Sequence, residues 1–189
     1  MKILHISDTH GMHHRLGPLP SADVLVHSGD FTQDGTEPEV LDFLNWLIEL
    51  PYREKIFVVG NHDLCLRDAD GIEDLPENVH FLQDDGIEID GVRFFGLGYD
   101  HPEELIPDGI DVLISHEPPS EILDFSSGVY WGNLPLRQRI EEIEPHYHLF
   151  GHAHEAHGML TVGNLTHVNA SLLDDKGRIA YKPIVIEMS

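Results

Sequence analysis

Residues 1–11 read MKILHISDTHG, a short apolar run that stops abruptly at Asp8, Thr9 and His10. The run is nearly continuous rather than alternating, as expected for a strand covered on both faces. Four further runs of this kind occur, at residues 24–26, 56–59, 112–114 and 147–150. Each also ends in a side chain with a lone pair to offer. VLVHSG leads to Asp30, IFVVG to Asn61, His62 and Asp63, VLIS to His116, and HLFG to His152 and His154. In layered α/β proteins the ligand crevice lies beyond the carboxyl ends of the strands. Five strands far apart in sequence therefore deliver oxygen and nitrogen donors to one edge. A single Asp-x-His has many chance matches, but five such junctions in one chain form a strong pattern.

The last junction, LFGHAHEAHG at 149–158, carries three histidines in six positions. A zinc-protease helix would need two histidines four apart with a glutamate between them. His154 and His157 are three apart and follow a strand, which excludes that reading. His152 and His154 alternate along an extended segment, so both reach one site only if the backbone turns between them. Gly151 is expected to supply that turn. His157 stands outside the pattern.

The intervening segments read as two helices and two hairpins. In TEPEVLDFLNWLIELP (36–51), Thr36 and Glu39 form a capping-box pair, and Val40, Phe43, Leu44, Leu47 and Ile48 recur with helical spacing. A second helix is expected over 134–143, with Pro135 in its first turn. Asp90-Gly91 and Gly163-Asn164 are hairpin turns, and YKPIVIEM (181–188) is a last extended run. The stretch SEILDFSSGVYWGN (120–133) reads as a long loop, either packed on the surface or forming an aromatic wall beside that donor-lined edge. No repeat or linker interrupts the chain, so one α/β domain over 1–189 is expected.

Composition narrows the function classes. With 11 Lys and Arg against 34 Asp and Glu, the formal charge is −23, which argues against binding long nucleic acid. No apolar run approaches a membrane span. The N-terminus has Asp and His where a signal peptide would stay apolar, and the one cysteine, Cys65, fits a reducing compartment. Cytoplasm is therefore the expected location. Cys65 itself reads as a small packed residue. Of the 15 histidines, His13, His14, His27, His80, His101, His146, His148 and His167 read as surface or core residues rather than ligands.

The segments SDTH, HSGD, VGNHD, SHEPP and FGHAH, in this order over residues 7–154, resemble the calcineurin-like metallophosphoesterase superfamily. LVHSGDFT, LPYREKIFVVGNHDL and FGHAHEAHG are similar to its small, cap-less metallophosphoesterase-domain branch first known from brain. The resemblance implies a four-layer α/β/β/α sandwich of two mixed β-sheets flanked by helices, with two divalent metal ions at the sheet edge. It implies Asp8, His10 and His154 as ligands of one ion, Asn61, His116 and His152 as ligands of the other, and Asp30 as the bridge. It also implies His62 as the catalytic histidine. Asp63 is as readily explained by a structural hydrogen bond in its loop.

These residue types suit phosphoryl chemistry. Two divalent ions ~3.5–4 Å apart can neutralise a phosphodiester and align the attacking and leaving oxygens. A metal-bridging hydroxide would serve as nucleophile, and His62 would protonate the leaving alkoxide. Imidazole, carboxylate and carboxamide donors without thiolate favour Mn²⁺, with Fe²⁺, Zn²⁺, Co²⁺ or Ni²⁺ as alternatives. The expectation is a dinuclear phosphodiesterase for small phosphodiesters, 2′,3′-cyclic nucleotides among them. A monoesterase, a nuclease, or a protein-binding scaffold of the same fold are the alternatives.

Overall fold

The computed structural model describes residues 1–188. From the N-terminus, β1 (Lys2–Ile6) and β2 (Val24–His27) precede helix α1 (Glu37–Glu49), which is followed by β3 (Glu54–Phe57) and β4 (Val79–Phe81). A hairpin of β5 (Asp85–Ile89) and β6 (Val92–Gly96) leads to β7 (Val112–Ile114). A short ribbon of β8 (Phe125–Ser126) and β9 (Val129–Tyr130) precedes helix α2 (Leu134–Ile143) and β10 (Tyr147–Phe150). The hairpin β11 (Gly158–Val162) and β12 (Leu165–Asn169) comes next, and β13 (Ile184–Glu187) closes the chain.

These strands form two mixed sheets. The first has the order β13-β1-β2-β3-β4, with β13 antiparallel and the rest parallel. The second has the order β11-β12-β10-β7-β6-β5, parallel in its middle and closed at both ends by antiparallel hairpin partners. Three apolar layers hold the four-layer sandwich together. Ile3, Val24, Val26 and Ile56 meet Phe94, Val112, Ile114 and Leu149 between the sheets. Leu4, Leu25 and Phe57 point the other way, against Val40, Phe43 and Leu47 of α1. Leu113 and Phe95 likewise pack on Leu136 and Ile140 of α2. Continuous apolar runs were required because each inner strand has two faces to cover.

Both helices start where their caps place them. The Thr36 amide and hydroxyl both donate to the Glu39 carboxylate, at 3.1 and 2.8 Å. Asn133 accepts the Leu136 amide at 2.9 Å, and Glu144 ends α2 in a left-handed conformation. Two expectations change. The strand expected over 56–59 leaves the ladder after Phe57, because Val58 and Val59, still buried, carry Gly60 up against Asp30. The 120–133 segment is not a plain loop: it folds back as the β8–β9 ribbon, turning through Ser127 and Gly128, both at positive φ.

β11 is an outer strand of the second sheet and leaves Met159, Leu160 and Val162 exposed. Among the described residues, no helix is long and apolar enough to cross a membrane.

Candidate metal centre

The carboxyl ends of β1, β2, β3, β7 and β10 converge on one edge of the sandwich. The connecting loops are stitched to each other there. The Asp8 amide donates to Gly29 O at 3.0 Å, the His10 amide to Asp30 O at 3.0 Å, and the Gly151 amide to His116 O at 3.1 Å. Asp8, His10, Asp30 and His152 all adopt left-handed backbone, with φ of 53°, 41°, 55° and 65°. Such conformations cost about 1–3 kcal/mol each and persist only where the surroundings impose them. The turn expected at Gly151 is made by His152 instead. Gly151 is needed for a different reason: a Cβ there would lie 2.0 Å from Ser7 Oγ and 2.2 Å from Asp8 Oδ2.

The structure brings together all seven ligand candidates in two groups around Asp30. In the first, His154 Nε2 lies 3.2 Å from Asp8 Oδ1, and each of Asp8, His10 and His154 offers a donor atom within 4.8 Å of the others. In the second, Asn61 Oδ1 is 3.0 Å from His116 Nε2 and 2.9 Å from His152 Nδ1. Asp30 Oδ2 lies between the groups, 3.6 Å from His10 Nε2 and 3.3 Å from His116 Nε2. The ring orientations are fixed from behind. Nδ1 of His116 donates to Ser28 O at 2.9 Å and Nδ1 of His154 to Asp174 O at 3.3 Å, leaving each Nε2 facing inward.

Three observations test whether this cradle fits cations. Both ring nitrogens of His10 are buried without a hydrogen-bond partner, a costly arrangement unless a ligand takes a lone pair. Asn61 Oδ1, His116 Nε2 and His152 Nδ1 crowd within 3.2 Å of one another although Asn61 Oδ1 has no proton to share. Burial opposes a charge on His116, yet Asp30 and then Asp8 raise its pKa to about 10. The centre thus draws positive charge inward. Burial and the neighbouring His116 hold His152 down at about 4, so its lone pair is free. The donor set fits divalent cations.

His62 lies beside this edge, its ring 4.7 Å from that of His10 and perpendicular to it. Its Nδ1 donates to Gln33 O at 2.8 Å and its amide to Asp30 Oδ1 at 2.8 Å, which leaves Nε2 available. Asp63 is fully buried and accepts the amides of Asp30, Gly60 and Thr32 at 2.8, 2.8 and 2.9 Å, with the Thr32 hydroxyl at 2.8 Å. His157 donates from Nδ1 to Ser171 O at 2.9 Å and stacks on Tyr181. Cys65 is exposed rather than packed. Ser171 was not visible in the sequence. Its hydroxyl donates to Asp8 Oδ2 at 2.7 Å from just beyond β12, the strand that pairs with β10. The only hint was that β12 is one more strand end on the same edge.

Comparison with known proteins places this site in context. A calcineurin-like phosphoesterase family profile matches residues 1–156. A UPF0046 protein of Caenorhabditis elegans is 39% identical, covering 98% of this chain and 74% of its own. Human metallophosphoesterase domain-containing protein 1 is 32% identical, covering 97% and 69%. Among solved structures, the phosphopantetheinyl hydrolase PptH of Mycobacterium tuberculosis superposes with a TM-score of 0.65 at 13% identity, over 98% of this chain and 95% of its own. A Thermus thermophilus protein, TT1561, superposes at 0.63 and 17% identity, over 89% and 88%. The chain belongs to the calcineurin-like phosphoesterase family, a family of metal-dependent phosphoesterases.

Proposed function

We propose that the chain hydrolyses small phosphodiesters at a dinuclear centre, with Mn²⁺ the first candidate and 2′,3′-cyclic nucleotides the first substrates to test. The observation that carries this reading is the pairing of two donor groups, Asp8/His10/His154 and Asn61/His116/His152, about the single carboxylate of Asp30. Divalent ions held there supply Lewis-acid charge to the phosphoryl oxygens and an activated water.

The chain's own residues do the rest. Asp30 presents one oxygen to both groups while its other oxygen accepts the His62 amide, so the ligand loop and His62 move as one. With its Nδ1–H held by Gln33 O, His62 turns Nε2 toward the metal edge, and from there it would protonate the leaving group as the imidazolium. Trp131 stands perpendicular to His152 at 5.0 Å, its indole N–H committed to Ser126 O. Tyr99 lies 6.0 Å from His116, with the Arg67 guanidinium 5.5 Å from its centre. These aromatic groups offer stacking surface for a base. A singly charged diester also suits this acidic surface better than a dianionic monoester. The scaffold reading is disfavoured because His62 and the whole donor set are present.

Elemental analysis of the purified protein beside a panel of phosphodiesters and phosphomonoesters tests the proposal. Asp30→Ala should abolish turnover and lower metal content. Wild-type hydrolysis by that variant with Mn²⁺ would remove the bridging role.

A further inference from the structure

The 3-10 turn His13–Arg15, just after the Asp8–His10 loop, packs against α1, and there two adjacent imidazoles meet one carboxylate. His13 Nε2 lies 3.1 Å from Asp42 Oδ2, and His14 Nε2 lies 3.2 Å from Asp42 Oδ1. The two rings are 4.5 Å apart, centre to centre. His13 is buried beside Phe43 and Trp46, whereas His14 and Asp42 face solvent. None of the three belongs to the donor set around Asp30.

We propose that His13, His14 and Asp42 form a separate site for one transition-metal dication, Zn²⁺ above all, with water completing its coordination. Two imidazoles and a carboxylate plus water are a recurring zinc donor set. Bond lengths of ~2.1 Å in tetrahedral geometry separate neighbouring donors by about 3.4 Å. The two nitrogens meet opposite oxygens of Asp42, and one donor atom from each of the three residues lies within 4.8 Å of the others, so side-chain rotation suffices to reach that spacing. Two of the donors, His13 and Asp42, are also in the right protonation state. Burial lowers the pKa of His13, which keeps it a free base near neutrality, and the hydrogen bond from His14 lowers that of Asp42. Phe43 and Trp46 hold the His13 ring in place, so little side-chain freedom remains to be lost there on binding. With two of its three donors imidazoles, the site suits zinc better than magnesium or calcium, which favour all-oxygen shells. A cation here ties the turn after His10 to a helix residue 28 positions along the chain.

The test counts metal. Chelator-stripped protein is reloaded with Zn²⁺, dialysed and analysed for zinc per chain, for wild type, His14→Ala and Asp42→Asn. Both altered side chains are exposed, and circular dichroism checks that the fold is kept. Each variant should hold one zinc fewer than wild type and show a smaller zinc-dependent rise in melting temperature, with Mn²⁺-supported hydrolysis unchanged. That difference of one is read whatever number the Asp30 centre holds, so failure of the dinuclear reading leaves it standing. Equal zinc in all three proteins would overturn the site and leave two imidazoles sharing a carboxylate. Loss of hydrolysis along with the zinc would overturn its independence.

Discussion

Asp63 is the buried residue on which the metal edge is assembled. One carboxylate gathers donors from the Asp30 loop and the Gly60 loop, so two ligand-bearing strand ends share one anchor. Burial, and then the charge of Asp30, raise its pKa to about 7, so those hydrogen bonds are what keep it a useful acceptor. Asp63→Ala strands three buried amides at about 1–3 kcal/mol each, less what water recovers, while the Thr32 hydroxyl turns to His62 O, 2.9 Å away. A loss of about 3 kcal/mol or more in urea unfolding of metal-stripped protein is expected, together with weaker metal uptake. His62 behaves differently, because it packs little and donates to one carbonyl. His62→Ala should keep its metals and slow turnover by about 10²-fold or more, measured at saturating substrate. Equal rates would take His62 out of the mechanism. The sequence revealed the ligand candidates because lone-pair donors at five strand ends are a rare coincidence. It did not reveal Ser171, since a hydroxyl that merely orients Asp8 can be supplied by many residues in many places.

Among the strands and helices, the ligand-bearing strand ends are crowded, and glycine makes the crowding feasible. Gly60 and Gly151 sit where any Cβ would overlap the Asp30 and Asp8 carboxylates. Gly151→Ala should therefore cost about 1–3 kcal/mol and reduce metal content, whereas Gly71→Ala, with open space around it, should be neutral. Thermal melting and elemental analysis of both variants decide this; a silent Gly151→Ala would show that the loop has room to yield. The two helices were readable from Thr36, Glu39 and Pro135, because first-turn signals are local chemistry. The β8–β9 ribbon was not, because Ser127-Gly128 is a weaker signal for a turn with two positive φ angles than Asn-Gly would be. β4 was missed because His80 interrupts its apolar run, whereas β7, equally short, is apolar throughout.

For the molecule as a whole, burying so many imidazoles makes stability depend on pH. Burial, with neighbouring imidazoles adding to it, lowers His5 and His27 from 6.5 to about 3, and burial lowers His167 to about 4. The unfolded chain binds protons below about pH 6.5 and the folded one does not, so the stabilisation is present above that value and lost as pH falls toward 3. Each tenfold weakening of proton binding corresponds to roughly 1.4 kcal/mol. His116 acts in another window, between about 10 and 6.5, and Asp63, raised to about 7, opposes the fall as one group against these three histidines. The urea midpoint of metal-stripped protein should drop steadily from about pH 7 to about pH 5; a flat profile would contradict it. That the inner strands are covered on both faces was legible, because Ile3 and Leu4, or Leu113 and Ile114, are both apolar; the four-layer sandwich itself was implied by the family resemblance. The pairing of β13 with β1 was not, since periodicity carries no information on which strand lies beside which.

The surplus of carboxylates acquires a meaning beside the outermost strand of the second sheet. An uncharged ribbon bearing Met159, Leu160 and Val162, with no lysine or proline to guard it, is a ready template for another copy to lengthen. Mutual repulsion between bodies carrying −23 opposes such a meeting, which gives the acid coat the character of a colloidal safeguard. Concentrated brine, which shortens that repulsion to ~3 Å at 1 M, is where the molecules would begin to stick.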